Sequence, residues 1–267
     1  MDALVASLTS ADQDFSLWFP SITNVAGGFV NLARGAVTGF GQAAIPTVAG
    51  SGGHIPTDGN PGYPTISAPG GGQSLYIGRI EAAGTVTGTI TVYDRVYAAS
   101  GFVGNVITAQ AITGMPTLPA ARAPNDGEGL EIWLESYTAI GATASQVTVQ
   151  YTNSAGTSGR NTVSEAITAS FPVNRLQRLR YQDGDTGVQS VQSVTLSVST
   201  GTAGNFGIVL LERKCTLPLT FANVSNVMDF AATGLPTVQA DSALMFVSMS
   251  TATTTGNIIG TINIVAG

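Results

Sequence analysis

Beyond Gln73 the chain alternates apolar and polar side chains with a period of two. Val147, Val149 and Tyr151 alternate with Thr148 and Gln150, and Val194, Leu196 and Val198 alternate with Thr195 and Ser197. This is the signature of strands with one apolar face. It predicts strands over 74–82, 86–98, 130–138, 146–152, 162–168, 189–200, 206–213, 244–251 and 258–265. Gly84, Gly88, Gly141, Gly156, Gly201, Gly204 and Gly256 supply the turns between them. Many short, punctuated strands without a helical period point to an all-β fold, an antiparallel β-sandwich or jelly roll.

The strand pattern also repeats. The stretch 76–95 (YIGRIEAAGTVTGTITVYDR) returns in outline at 194–213 (VTLSVSTGTAGNFGIVLLER), an offset of 118 (194 minus 76). Ile80, Ile90, Val92 and Asp94-Arg95 fall opposite Val198, Ile208, Leu210 and Glu212-Arg213. Thr-Gly-Met-Pro-Thr at 113–117 then returns as Thr-Gly-Leu-Pro-Thr at 233–237, and 129–151 pairs loosely with 243–265. A period of this length is too great for a solenoid and fits a duplicated β unit, with halves of roughly 76–175 and 194–267 inside a β domain spanning 73–267.

The first 72 residues read differently. Asp12, Asp14 and Ser16 are candidate caps for a short helix around Phe15, Trp18 and Phe19 that Pro20 would stop. From 51 to 72 the chain is SGGHIPTDGNPGYPTISAPGGG, dense in Gly and Pro and therefore extended or looped. These residues are expected to form an N-terminal arm and linker whose folding is coupled to assembly. On that reading, truncation at Gly72 leaves a folded β domain.

Composition sharpens the picture. Only 10% of the 267 residues are charged while 43% are hydrophobic, a mix that folds without disulfides but leaves few charges to keep copies apart in solution. Much of the surface is therefore expected to meet other protein. A net charge of -6 argues against a nucleic-acid partner, because phosphate neutralisation needs clustered Lys and Arg. The one basic cluster, Arg175, Arg178 and Arg180, could meet an acidic partner; a solvated or salt-bridged strand edge is the simpler reading. The start of the chain lacks the layout of a signal peptide, and Asn31, Arg34, Gln42 and several glycines interrupt the apolar stretch 25–48, so no membrane partner is expected.

Candidate chemistry is sparse. His54, the sole histidine, lies in the Gly/Pro-rich stretch and reads as a mobile loop residue, and the single cysteine, Cys215, as a small buried hydrophobe. Neither supports a zinc set or a His-centred triad, so no metal, cofactor or catalytic residue is expected. Glu131 and Glu135, on one strand face at i and i+4, would stand about 13 Å apart at a rise of about 3.3 Å, wider than the roughly 5–9.5 Å of glycosidase pairs. A solvated face is expected there, with Ile132 and Leu134 turned inward and Trp133 exposed as an interface anchor or a sugar-stacking platform. Asp183-Gly184-Asp185 resembles a calcium loop only superficially, and a turn is the better expectation.

The segments VYDRVYAASGFVGNVITAQAITGMPTLPAAR at 92–122, GLEIWLESYTAIGATASQVTVQYTNSAGTSGR at 129–160 and LRYQDGDTGVQSVQSVTLSVSTG at 179–201 resemble virion structural proteins of tailed bacteriophages, in particular head or tail accessory proteins. The resemblance covers roughly the C-terminal two thirds and carries no catalytic motif. It implies a non-enzymatic virion component made in the host cytoplasm: a capsid decoration or cement protein that contacts the major capsid protein or another virion protein. It also implies homo-oligomers, with trimers suiting local threefold positions. Phe15, Trp18, Phe19, Trp133, Tyr137, Arg175, Arg178 and Arg180 are the expected interface residues. The alternative is a tail or head-fibre module that binds host cell-surface glycan, using Trp133 and Tyr137.

Overall fold

A computed structural model of the chain describes residues 13–35 and 39–267. In chain order the strands are β1 (Gln13–Thr23), β2 (Phe29–Asn31), β3 (Leu75–Gly84), β4 (Gly88–Phe102), β5 (Gln110–Ala111), β6 (Glu131–Thr138), β7 (Ser145–Asn153) and β8 (Arg160–Asn161). They continue as β9 (Glu165–Ile167), β10 (Arg175–Leu179), β11 (Val188–Leu196), β12 (Asn205–Leu219), β13 (Asn226–Met228), β14 (Thr237–Val238), β15 (Leu244–Ser250) and β16 (Thr255–Ala266). The helices among the described residues are single turns, such as Leu32–Gly35 and Phe230–Thr233. The all-β architecture expected from the alternation is therefore present.

The chain forms two compact units. The first takes the described residues up to Ala44, then Thr57–Asp94 and Lys214–Gly267; the second takes Ile45–Pro56 and Arg95–Arg213. The division does not fall at residue 72. The strands β4 and β12 each run from one unit into the other, at Asp94-Arg95 and Arg213-Lys214, within one residue of the positions that the sequence repeat sets opposite each other.

In the first unit one sheet has the order β1-β16-β3-β13, with β14 also on β3. A second set of antiparallel neighbours runs β2-β15-β4. Leu17, Phe19, Ile22, Ile80, Ile90, Val92, Phe246, Ile262 and Ile264 fill the core of this unit. In the second unit the sheet order is β5-β11-β7-β8, with β9 also on β7, and the second set is β10-β6-β12. Its core holds Val96, Tyr97, Leu130, Ile132, Leu134, Val147, Val149, Tyr151, Val194, Phe206, Ile208 and Leu210. Val147, Val149 and Tyr151 all point inward, as their alternation with Thr148 and Gln150 requires.

The repeat is visible in the pairing. Each copy supplies two strand pairs, β3–β4 and β6–β7 in the first, β11–β12 and β15–β16 in the second. These pairs bond across the copies: β3 and β4 bond β16 and β15, whereas β11 and β12 bond β7 and β6. The register agrees as well. Phe246 faces Val92 and Ser248 faces Ile90. Moving the β4 residues forward by 118 and the β15 residues back by 114 (243 minus 129) gives Ile132 opposite Leu210 and Leu134 opposite Ile208, the pairs found between β6 and β12. In addition, β5 takes on β11 the place that β14 takes on β3: Val194, opposite Gln110, maps to Tyr76, opposite Thr237.

The N-terminal residues depart from expectation. Residues 13–23 are not a helix but β1, paired to β16 from Gln13 to Thr23 with a bulge between Phe19 and Ile22. Pro20 sits at that bulge on an edge strand, where a missing N–H breaks no ladder bond. Asp12 lies outside the described residues. The Gly/Pro-rich stretch is irregular, as expected, but pinned. His54 exchanges two backbone hydrogen bonds with Ala98, at 2.9 and 3.0 Å. Gly53, at φ +68°, lies so close to β4 that an added Cβ would sit 2.6 Å from the Ala98 carbonyl oxygen, which selects glycine. Farther on, Tyr63 and Ile66 are buried, and Ser67 and Gln13 bond each other twice.

Candidate functional site

The strand β6 holds the groups with most chemical potential, and it buries them. It lies between β10 and β12 and is covered on both faces, so Glu131, Trp133, Glu135 and Tyr137 are all buried, with Trp133 at 2% and Tyr137 at 3% exposure. The solvated face expected for these residues does not exist. The compensation that makes this possible comes from another strand. Arg95, on β4, donates to the Glu135 carboxylate at 2.5 Å and to the Tyr137 hydroxyl at 3.2 Å, and Tyr137 donates to Glu135 at 3.0 Å. The Arg95 and Glu135 side chains are 1% and 0% exposed. Buried charges persist only when paired and hydrogen-bonded in this way. Glu131 accepts from the Trp133 indole N–H at 2.9 Å and bridges Arg178 at 3.1 Å.

The acidic turn is likewise consumed internally. Asp185 accepts from the Tyr151 hydroxyl at 2.5 Å, the Asn153 amide at 2.7 Å and the Arg160 guanidinium at 2.9 and 3.1 Å. Burial alone would raise its pKa, but the hydrogen bonds from Arg160, Tyr151 and Asn153 outweigh that and hold the carboxyl below its ordinary value. The same contact, added to burial, pushes the Tyr151 hydroxyl up to about 12. Its oxygens are committed to donors, so the turn is an ion-paired clasp and not a calcium loop.

His54 is held as well as buried in part. Its Nδ1 accepts from the Thr47 N–H at 3.3 Å, and burial together with the Arg95 charge lowers its pKa, so it is neutral at pH 7. The mobile loop residue expected from its neighbours is a fixed one. Cys215 is buried as expected, and burial raises its thiol to about 12, leaving it protonated and inert. No group of three or more His, Cys, Asp or Glu among the described residues is placed to hold a metal ion.

The eight expected interface residues therefore divide. Phe19, Trp133, Tyr137 and Arg175 are buried, and Phe15 is half-buried with its ring edge-on to Phe40 at 6.3 Å. Arg178 bridges Glu131, and Arg180 bridges Glu165 at 2.5 Å from an exposed position. The basic cluster is thus split, with Arg175 inside and the other two on the surface facing carboxylates of their own chain. Of the aromatic residues in the set, Trp18 is exposed, at 50%.

Trp18 stands on the outer face of the β1-β16-β3-β13 sheet, and its neighbours there were not evident from sequence. Pairing places Trp18, Ile259 and Ala83 in one row across β1, β16 and β3. Ser16, Thr261, Glu81 and Val227 form the next row, extending to β13, and Asp14, Asn263 and Arg79 the third. Ile259 is 50% exposed. The signal for it was the adjacent pair Ile258-Ile259, since a strand must turn one of two consecutive side chains outward. Near this face the segment 221–230 exposes Phe221, Val224, Val227 and Phe230.

Two hollows are open to solvent within the units. One of about 540 Å³ in the second unit is lined by Met115, Leu118, Asn125, Asp126, Gln189 and Ser190 among others. The other, of about 320 Å³, lies in the first unit between Asp14, Arg79, Asp229, Phe230 and Asn263. No helix among the described residues is long and apolar enough to cross a membrane.

No protein-family model and no curated protein matches the chain. Among solved structures it shows low similarity to those of infectious bursal disease virus and its VP2 protein. The VP2 subviral particle aligns with 96% of this chain and 80% of that one at 9% identity and a TM-score of 0.21. The Gt strain structure aligns with 96% and 81% at 10% identity and a TM-score of 0.19.

Proposed function

We propose that the chain is a structural component of a virus particle, a non-catalytic decoration or cement protein of a bacteriophage head. The observation that carries this reading is the internal use of its ionisable groups. The Arg95–Glu135–Tyr137 and Asp185–Arg160–Tyr151 networks tie strands together and leave these acids no geometry for proton transfer to a substrate. What the surface offers instead is weakly charged and carries exposed apolar side chains on the β1-β16-β3-β13 sheet, suited to being covered by protein. The resemblance of 92–122, 129–160 and 179–201 to tailed-phage virion proteins supplies the setting. Contacts of moderate area, repeated around a shell, would resist internal pressure by multiplicity.

The test is a particle assembled without the chain. It should lose heat resistance and regain it when purified protein is added back, with the protein recovered on the particle. Equal heat resistance with and without the chain, and failure to bind, would rule the reading out.

A second reading, a glycan-binding module of a tail or head fibre, is favoured by the 540 Å³ hollow, whose size falls within the range of ligand sites and whose lining mixes carboxylate, amide and hydroxyl groups with Met115 and Leu118. Saturable binding on a glycan array, abolished by Asp126→Ala and Gln189→Ala, would favour it over the cement reading. Trp133 and Tyr137 have no part in it, being buried.

A further inference from the structure

We propose that the outer face of the β1-β16-β3 sheet is a two-fold interface between two copies of this chain, with the symmetry axis lying along β16. The face is complementary to itself in both size and charge. Across the first row the side chains run large, medium, small: Trp18 on β1, Ile259 on β16, Ala83 on β3. Across the third they run acidic, neutral, basic: Asp14, Asn263, Arg79; within one copy Asp14 accepts from the Asn263 amide at 3.0 Å and Arg79 bridges the exposed edge of Glu81 at 2.6 Å, contacts that a second copy would share.

A rotation by half a turn about β16 lays β1 of one copy over β3 of the other while each row stays over itself. Trp18 then meets the small Ala83, Ile259 meets Ile259, and Asp14 meets Arg79, twice over. An isologous contact demands this arrangement, in which whatever stands on one side of the axis fits what stands on the other. A different protein would impose no such relation between β1 and β3. The charges also lie within reach, because face-packed sheets stand about 10 Å apart and an Asp–Arg pair spans that gap.

The area suits a reversible pair. An eleven-residue strand such as β1 covers about 37 Å, and three strands about 14 Å, so the face offers roughly 520 Å² per partner, below the roughly 800 Å² of a standard specific interface and at the size of weak, reversible association. Phe230 and the 320 Å³ hollow border the charged row and give the two ion pairs room to adjust. The inference goes beyond the particle reading and replaces the trimer suggested by resemblance with a pair.

Sedimentation of the full chain over a range of concentrations tests it. A reversible monomer–dimer equilibrium is expected. Trp18→Glu should abolish the dimer, and Asp14→Arg and Arg79→Asp should each weaken it at least about tenfold by setting like charges together. The double variant Asp14→Arg/Arg79→Asp restores opposite charges and should recover the dimer. All three positions are on the surface, and an unchanged circular dichroism melt will show that each variant is folded. A monomer at every concentration, a trimer, a dimer indifferent to Trp18→Glu, or a double variant no better than the singles would overturn the proposal. The measurement uses isolated protein, so its failure is separable from failure of the particle assay.

Discussion

Replacing Glu135 by Gln should cost the second unit much of its stability. The substitution keeps size and hydrogen-bonding capacity but removes the negative charge that Arg95 meets at 2.5 Å, with both side chains at or below 1% exposure. Removing one member of a buried ion pair leaves a desolvated charge and costs about 3–5 kcal/mol. Each kcal/mol moves Tm by roughly 2–4 °C in a chain of about this size. A fall of about 6–20 °C is therefore expected in calorimetry, in the transition that reports Arg95–Arg213. Replacing the pair together, as Arg95→Met with Glu135→Leu, exchanges two charges for apolar volume and should recover most of the loss. A shift below about 2 °C for Glu135→Gln, or a double variant less stable than the single one, would refute the claim that charge pairing allows β6 to be buried on both faces.

Three further outcomes are expected. Because folding lowers the His54 pKa below 6.5, the unfolded chain takes up the proton first as pH falls; stability should therefore decline from about pH 6.5 downward, and His54→Gln should flatten that limb in pH-dependent melts. Asp185, whose folded pKa is depressed, contributes stability above its unfolded value that is lost as pH falls through the folded one; Asp185→Asn should cost about 1–3 kcal/mol at pH 7, measured by urea unfolding, and remove this acid limb. Deleting 1–72 removes β1 and with it buried Leu17, Phe19 and Ile22, so the truncated chain should lose the cooperative transition of the first unit and bind a hydrophobic dye.

The sequence announced strands well and partners poorly. The predicted 130–138, 206–213 and 244–251 correspond to β6, the first part of β12 and β15, because period-two alternation is a local property. β1 was misread because Pro20 and the flanking acids mimic a capped, stopped helix; an edge position with a bulge tolerates that proline equally well. Charges on β6 suggested solvent, since Arg95, the residue that neutralises Glu135, is forty positions away in the chain. Trp18 was legible as an exposed anchor, whereas the rows joining it to Ile259 and Ala83 exist only once β16 lies between β1 and β3. The repeat was readable in outline, but the exchange of strand pairs between its copies is a matter of pairing, which a single chain does not spell out.

That exchange governs when the protein can begin to fold. β3 and β4 emerge early from the ribosome, yet their ladder partners β16 and β15 are separated from them by some of the longest spacings the chain allows, as in Ile80 opposite Ile262. The second unit, closed by β12, can consolidate while synthesis continues, whereas the first must wait with apolar strands unsheltered. Such high contact order slows the search and lengthens exposure to aggregation, so nascent chains stalled short of β15 should depend on chaperones to keep β3 and β4 apart from their neighbours.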